Sequence, residues 1–163
     1  MQRRRAFVRL LISLFVVISS LSWSTLSAIA QDKPEQSLYE RLGGVKPIAL
    51  VVDDFINRLV ANDTLNTNPK IKEGRTHSPD PYLKFHVTNM VCQAAGGPCK
   101  YTGLSMKDSH YHLNITEAEW QVMLTELKKS LDKFQVPARE QQELIAIVES
   151  TKKDIVIGAA QQQ

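Results

Sequence analysis

"CKYTGLSMKDSHYHLNIT", Cys99–Thr116, holds two of the chain's four histidines, His110 and His112. Ser105 with Asp108 reads as the cap of a short helix near residues 106–112. On that helix Met106, His110 and Leu113 fall at i, i+4 and i+7, which is one face. His112 lies about 200° around from His110 on the helical repeat, in the company of Asp108 and Ser109. The spacing predicts one inward imidazole, His110, and one solvated imidazole, His112. An inward histidine is either a core residue with satisfied ring nitrogens or a ligand. The rest of the chain bears on that choice.

Downstream, Thr116 with Glu119 forms a capping box. It opens a helix carrying Trp120, Met123, Leu124, Leu127, Leu131 and Phe134. Pro137 opens a last helix with Leu144, Ile145, Val148 and Ile155 inward. Upstream, Asp80 followed by Pro81 starts a helix that runs to about Ala95 and stops at Gly96-Gly97-Pro98. Leu83, Val87, Met90, Val91 and Ala94 share its apolar stripe. His86 sits at the stripe's edge, about 60° from Leu83, while Phe85 and Cys92 face the opposite way.

Earlier still, Ile48, Val51, Val52, Phe55, Ile56, Leu59 and Val60 recur at helical spacing, with Pro47 in the first turn. "SLYERLGG" is a short helix stopped by Gly43 and Gly44. Residues 62–80 are polar and broken by Pro69, Gly74 and Pro79, so a loop with at most one helical turn is expected there. No segment sustains period two. The expected fold class is all-α.

Residues 1–30 stand apart. A basic "MQRRRAFVR", the apolar run "LLISLFVVISSLSW" and Ala28 and Ala30 in an A-x-A arrangement make the order of a secretory signal peptide, cleaved before Gln31. The apolar run falls short of the roughly 20 residues of a bilayer span. Arg4, Arg5 and Phe7 also resemble a twin-arginine export signal, an alternative to the general secretory route. Residues 31–36 read as a disordered lead and 158–163 as a disordered tail, leaving one domain over 37–157. Four of the 20 Lys and Arg lie in residues 1–30, so the remainder carries 16 against 17 acidic groups. That balance offers no basic patch for nucleic acid. The expected location is the periplasm or cell envelope, with no stable membrane insertion after cleavage.

Two inward imidazoles from different helices, His110 and His86, with no acidic partner nearby in sequence, suit haem better than zinc. Zinc wants three or four converging N and S ligands, and Cys92 points away from the His86 face. No C-x-x-C-H occurs, so a covalent c-type haem is excluded as far as that motif defines it.

"SLYERLGG", "VVDDFINRLVAND", "AAGGPCKYTGLSMKDSHYHLNIT" and "VPAREQQELIAIVESTKKDIV", in this order, resemble a group I truncated haemoglobin over nearly all of 37–156. The resemblance implies a two-over-two helical sandwich holding non-covalent haem b. It makes His110 the proximal iron ligand and the helix over 81–95 the distal helix. Leu83, Val87, Met106, Tyr101 and Phe55 would line the haem pocket. His86 matches a position where certain cyanobacterial members offer a second iron ligand, which implies a partly six-coordinate resting haem.

The departures from that family are specific. Ile56 stands where many members carry a tyrosine, and Val87 where many carry a glutamine. Asn68 and Pro69 replace paired phenylalanines, and a longer loop follows. The last helix has no histidine for a covalent haem link.

Cys92 and Cys99 flank the Gly-Gly-Pro turn and are disulfide candidates in an exported protein. The expected function is reversible binding of O2, CO or NO. The alternatives are an NO dioxygenase or weak peroxidase served by an unidentified reductase, a bis-histidine electron carrier or redox sensor, and a helical module without cofactor.

Overall fold

A computed structural model describes residues 35–157 of the 163. The signal-peptide reading of 1–30, most of the lead and the tail 158–163 lie outside the described residues. The helices in chain order are α1 (Leu38–Arg41), α2 (Val45–Ala61), α3 (Asp63–Asn66), α4 (Pro69–His77), α5 (Asp80–Ala94), α6 (Met106–His110), α7 (Glu117–Lys133), α8 (Ala138–Glu149) and α9 (Lys152–Ile155). Among the described residues the β content is one isolated parallel bridge, Ile115 with Val156. No described helix is long and apolar enough to cross a membrane.

Local chemistry sets the boundaries. Ser37 and Glu40 cap α1 reciprocally, and Thr116 and Glu119 do the same for α7. Gly43 and Gly44 take φ of 84° and 88°, a conformation that costs glycine little, and so end α1. The apolar stripe of α2 then packs against both α5 and α7. One cluster joins Val51 of α2 to Leu127 and Leu131 of α7, Leu144 of α8 and Leu38 of α1. Wholly buried, Leu131 contributes about 2–3 kcal/mol by its removal from water. A second cluster sets Ile48, Val52 and Ile56 of α2 against Val87 and Val91 of α5. Helix α6 rests on α9, and α1 on α8.

The polar stretch 62–80 is helical, against the expectation of a loop. Asn62 caps α3 through Leu65 N, and Asn68 caps α4 by accepting from Lys70 N and Ile71 N, with Pro69 in the first turn. Neither helix carries an apolar face, which is why periodicity missed them. They are held by capping, by one buried side chain on α3, Leu65, and by hydrogen bonds to the rest of the fold. The Asn68 amide donates to Leu113 O at 3.1 Å and to Glu119 Oε1 at 2.8 Å. Gly74 lets α4 approach the segment after α6, since a Cβ there would meet Leu113 Cδ2 at 2.8 Å.

The last helix is also shorter than expected. It ends at Glu149, and Ile155 belongs to the separate α9. The hydroxyls of Ser150 and Thr151 donate back to the carbonyls of Ile147 and Val148, each at 2.7 Å. Such back-bonding competes with the helical ladder, and the chain turns so that α9 reaches α6. Phe134, expected inward on α7, is its C-cap and is 37% exposed.

Candidate functional site

The helices enclose a largely apolar cavity of about 1020 Å³, at the upper end of the roughly 300–1,000 Å³ typical of ligand sites. Helix α5 supplies Leu83, His86 and Val87, and α6 supplies Met106 and His110. Phe55 and Ile56 enter from α2, and Tyr101 from the loop between α5 and α6. All seven pocket and ligand residues singled out in the sequence therefore border one space.

The two principal histidines differ in how they are held. His110 Nδ1 lies 2.8 Å from the carbonyl oxygen of Met106 and 2.9 Å from Ser109 Oγ. Ser109 Oγ in turn contacts the carbonyl oxygens of Ser105 and Met106 at 2.8 and 3.2 Å. A carbonyl only accepts, so Nδ1 carries the proton and Nε2 keeps its lone pair. Burial lowers the pKa of the imidazole, the Met106 carbonyl opposes that shift, and the charge of His112 adds to it. The ring is thus held neutral and in one tautomer, the form in which histidine ligates a metal.

His86 is not locked in this way. Its Nδ1 is buried and has no hydrogen-bond partner among the described residues. Three aromatic rings surround it instead: Tyr82 at 4.2 Å between centroids, Phe85 at 5.2 Å and Tyr101 at 6.0 Å. Tyr101 is fixed at both ends, its amide donating to Gln93 Oε1 and its hydroxyl to Leu104 O. Burial first, and then the neighbouring Tyr82, raise the Tyr101 pKa. A buried polar atom without a partner costs about 1–3 kcal/mol, which a hydrogen-bond acceptor or a metal beside the His86 ring would offset.

Ile56, 5% exposed, and Val87 make the adjoining wall apolar and offer no side-chain donor there. Helix α6 ends at His110, short of the expected 112, so His112 lies in the turn that follows; it is exposed, as expected, and borders the cavity.

The cavity has further contributors that sequence reasoning missed. Arg75 and His77 border the cavity from α4, a stretch whose sequence pattern predicts a loop. Trp120, assigned to the core, also lines it, with a buried and unpartnered Nε1. The Asn68 cap followed by Pro69 was the signal that could have found α4.

Cys92 and Cys99 form a disulfide with Cα atoms 5.7 Å apart. It ties the end of α5 to the strap carrying Tyr101. Among the described residues, no group of three or more His, Cys, Asp or Glu is arranged to hold a metal ion without a cofactor.

A family model described as "Bacterial-like globin" matches residues 37–157. The Group 1 truncated hemoglobin GlbN of Mycolicibacterium paratuberculosis is 27% identical over 127 residues, covering 76% of this chain and 87% of that protein. The Group 1 truncated hemoglobin of Tetrahymena pyriformis is 23% identical, covering 77% and 98%. Among solved structures, the truncated hemoglobin from T. pyriformis in its Fe(III) form superposes with a TM-score of 0.66 at 22% identity, covering 76% of this chain and all of that one. The 2/2 hemoglobin from Synechococcus sp. PCC 7002, in the cyanomet state and with covalently attached heme, gives 0.65 at 23%, covering 74% and 98%. At these identities the two structures bear on the fold alone, which is the all-α two-over-two arrangement.

Proposed function

The chain belongs to the bacterial-like globin family, as a group I truncated globin that binds non-covalent haem b and diatomic gases, and from that premise we propose that His110 and His86 share the iron at rest. When bound, haem supplies an iron whose sixth position exchanges ligands. His110 is the fixed proximal ligand. The observation that carries this reading is its Nδ1 proton committed to the Met106 carbonyl, which leaves the Nε2 lone pair for the metal on the wall of the apolar cavity.

His86 is the exchangeable ligand. Its ring is held by aromatic contacts and not by a hydrogen bond, so it can leave at lower cost than His110. A gas must displace it, and apparent affinity falls by the fraction of protein with the site open. Ile56 and Val87 provide no hydrogen bond that would favour oxygen over CO or NO. The expected behaviour is fast oxygen release and comparatively good binding of CO and NO.

The same unlocked His86 supports a second reading, electron transfer or redox sensing by a bis-histidine haem. Location is part of the proposal: an exported protein of the periplasm or envelope, supported by the Cys92–Cys99 disulfide, since oxidising compartments preserve such bonds.

Absorption spectra of the purified protein in ferric, ferrous and CO-treated forms test these readings together. A low-spin ferric spectrum with a CO-responsive ferrous form is expected. A ferrous form indifferent to CO would favour electron transfer, and a colourless, fully helical protein after haem supplementation would remove the haem reading.

A further inference from the structure

Haem carries two propionate carboxylates, and the cavity that would receive it is largely apolar. The basic side chains on its lining are Arg41, Arg75, His77, His86, His110 and His112, with no lysine. Arg41 is already committed to Glu140 and Glu143. His110 and His86 are assigned to the iron above.

Arg75 stands out among what remains. The other described arginines, Arg41, Arg58 and Arg139, each pair with a carboxylate. Half-buried Arg75 has no carboxylate within ion-pair distance among the described residues. It donates only to neutral oxygens: Leu59 O at 2.9 Å, Val60 O at 3.1 Å and Asn66 Oδ1. Those bonds fix the guanidinium at the C-terminal end of α2 and use three of its five N–H groups. Two donors and a whole positive charge are left over. A partly buried charge without a counter-charge is unfavourable, which points to an anion that completes the site. His112 lies against the same helix, since a Cβ on Gly74 would lie 3.9 Å from its Nε2.

We propose that Arg75 is the counter-ion for one haem propionate. Helix α4 thereby becomes part of the cofactor site, although sequence periodicity read that stretch as a loop. Arginine suits this role because its planar fork meets a carboxylate with two N–H donors. The competing role for Arg75 is purely structural, as a cation on the last carbonyls of α2. This proposal rests on the haem reading and is tested separately from it.

The test compares haem b with its dimethyl ester, in which both propionates are uncharged. Wild type, Arg75→Gln and Arg75→Lys are loaded with each porphyrin, and transfer to excess apomyoglobin is timed. Gln keeps a donor for the α2 carbonyls and removes the charge, while Lys keeps the charge. Arg75→Gln should release haem b about tenfold faster, the equivalent of one charge-assisted hydrogen bond. Arg75→Lys should fall between it and wild type. The dimethyl ester should leave wild type and Arg75→Gln at the same rate. Acceleration of both porphyrins alike by Arg75→Gln, or of neither, overturns the proposal. If Arg75→Gln does not fold, wild type alone decides against it by holding the two porphyrins equally well. Wild type that retains neither porphyrin contradicts the haem reading itself.

Discussion

The Nδ1 of His110 stands 2.8 Å from the carbonyl oxygen of Met106, one turn back along α6. That bond fixes both the tautomer and the direction of the imidazole before any ligand arrives. A ligand held this way loses little orientational freedom on binding metal. No comparable bond restrains His86, and the contrast assigns the two rings different lifetimes on the iron.

Replacing His86 should expose the difference. In His86→Leu the ferric spectrum should change from low-spin to high-spin, and CO should bind faster. If the open fraction in wild type is about one tenth, apparent CO affinity rises about tenfold. Stopped-flow mixing with CO reads the rate, and absorption reads the spin state. An unchanged spectrum would mean that His86 never touched the iron.

Asp54 joins α2 to α7. Burial alone would raise its pKa, but hydrogen bonds from Lys133, Arg58 and Ser130 outweigh burial and hold it at about 2 against an ordinary 3.8. A carboxylate depressed in the folded state stabilises above its unfolded pKa, and that stabilisation is lost as pH falls through the folded value. Asp54→Asn should therefore cost on the order of 1–2 kcal/mol at neutral pH, after allowance for solvent screening. The gap between variant and wild type should narrow from about pH 4 down to about pH 2. Urea denaturation across that range measures it, and a gap independent of pH would contradict the assignment.

Removing the disulfide should loosen the end of the distal helix. Cys92 is fully buried, and the bridge spans a sequence separation of seven. Loop-closure entropy for so short a loop is worth about 2.5 kcal/mol. The double variant Cys92→Ala, Cys99→Ala should lose about 2 kcal/mol of stability in denaturant titrations, and wild type should show no free thiol until it is unfolded and reduced. Equal stability of variant and wild type would show that the native turn is already closed without the bridge.

Much of this architecture could be read from residues with strong local chemistry. The Thr116–Glu119 box, the glycine pair after α1 and the apolar stripes of α2 and α7 mark their helices because one or two side chains settle each boundary. Helices α3 and α4 were hidden because their stability is tertiary: their amides and Arg75 bond to other segments, and no apolar face advertises them. The break before α9 was hidden for a related reason. Ser150 and Thr151 are ordinary helix residues until their hydroxyls turn back on the ladder. In the site, the face carrying His110 followed from spacing alone. The unlocked state of His86 did not, because it depends on what three separate segments bring around the ring.

The most direct measurement is the ferrous–CO absorption spectrum of haem-loaded His110→Gly, with and without free imidazole. If the residue 110 ring is the proximal ligand, the glycine variant gives a weak or misligated spectrum, and added imidazole occupying the vacated space restores that of wild type. A glycine variant whose spectrum already equals wild type without imidazole would place the iron on some other residue and contradict the account.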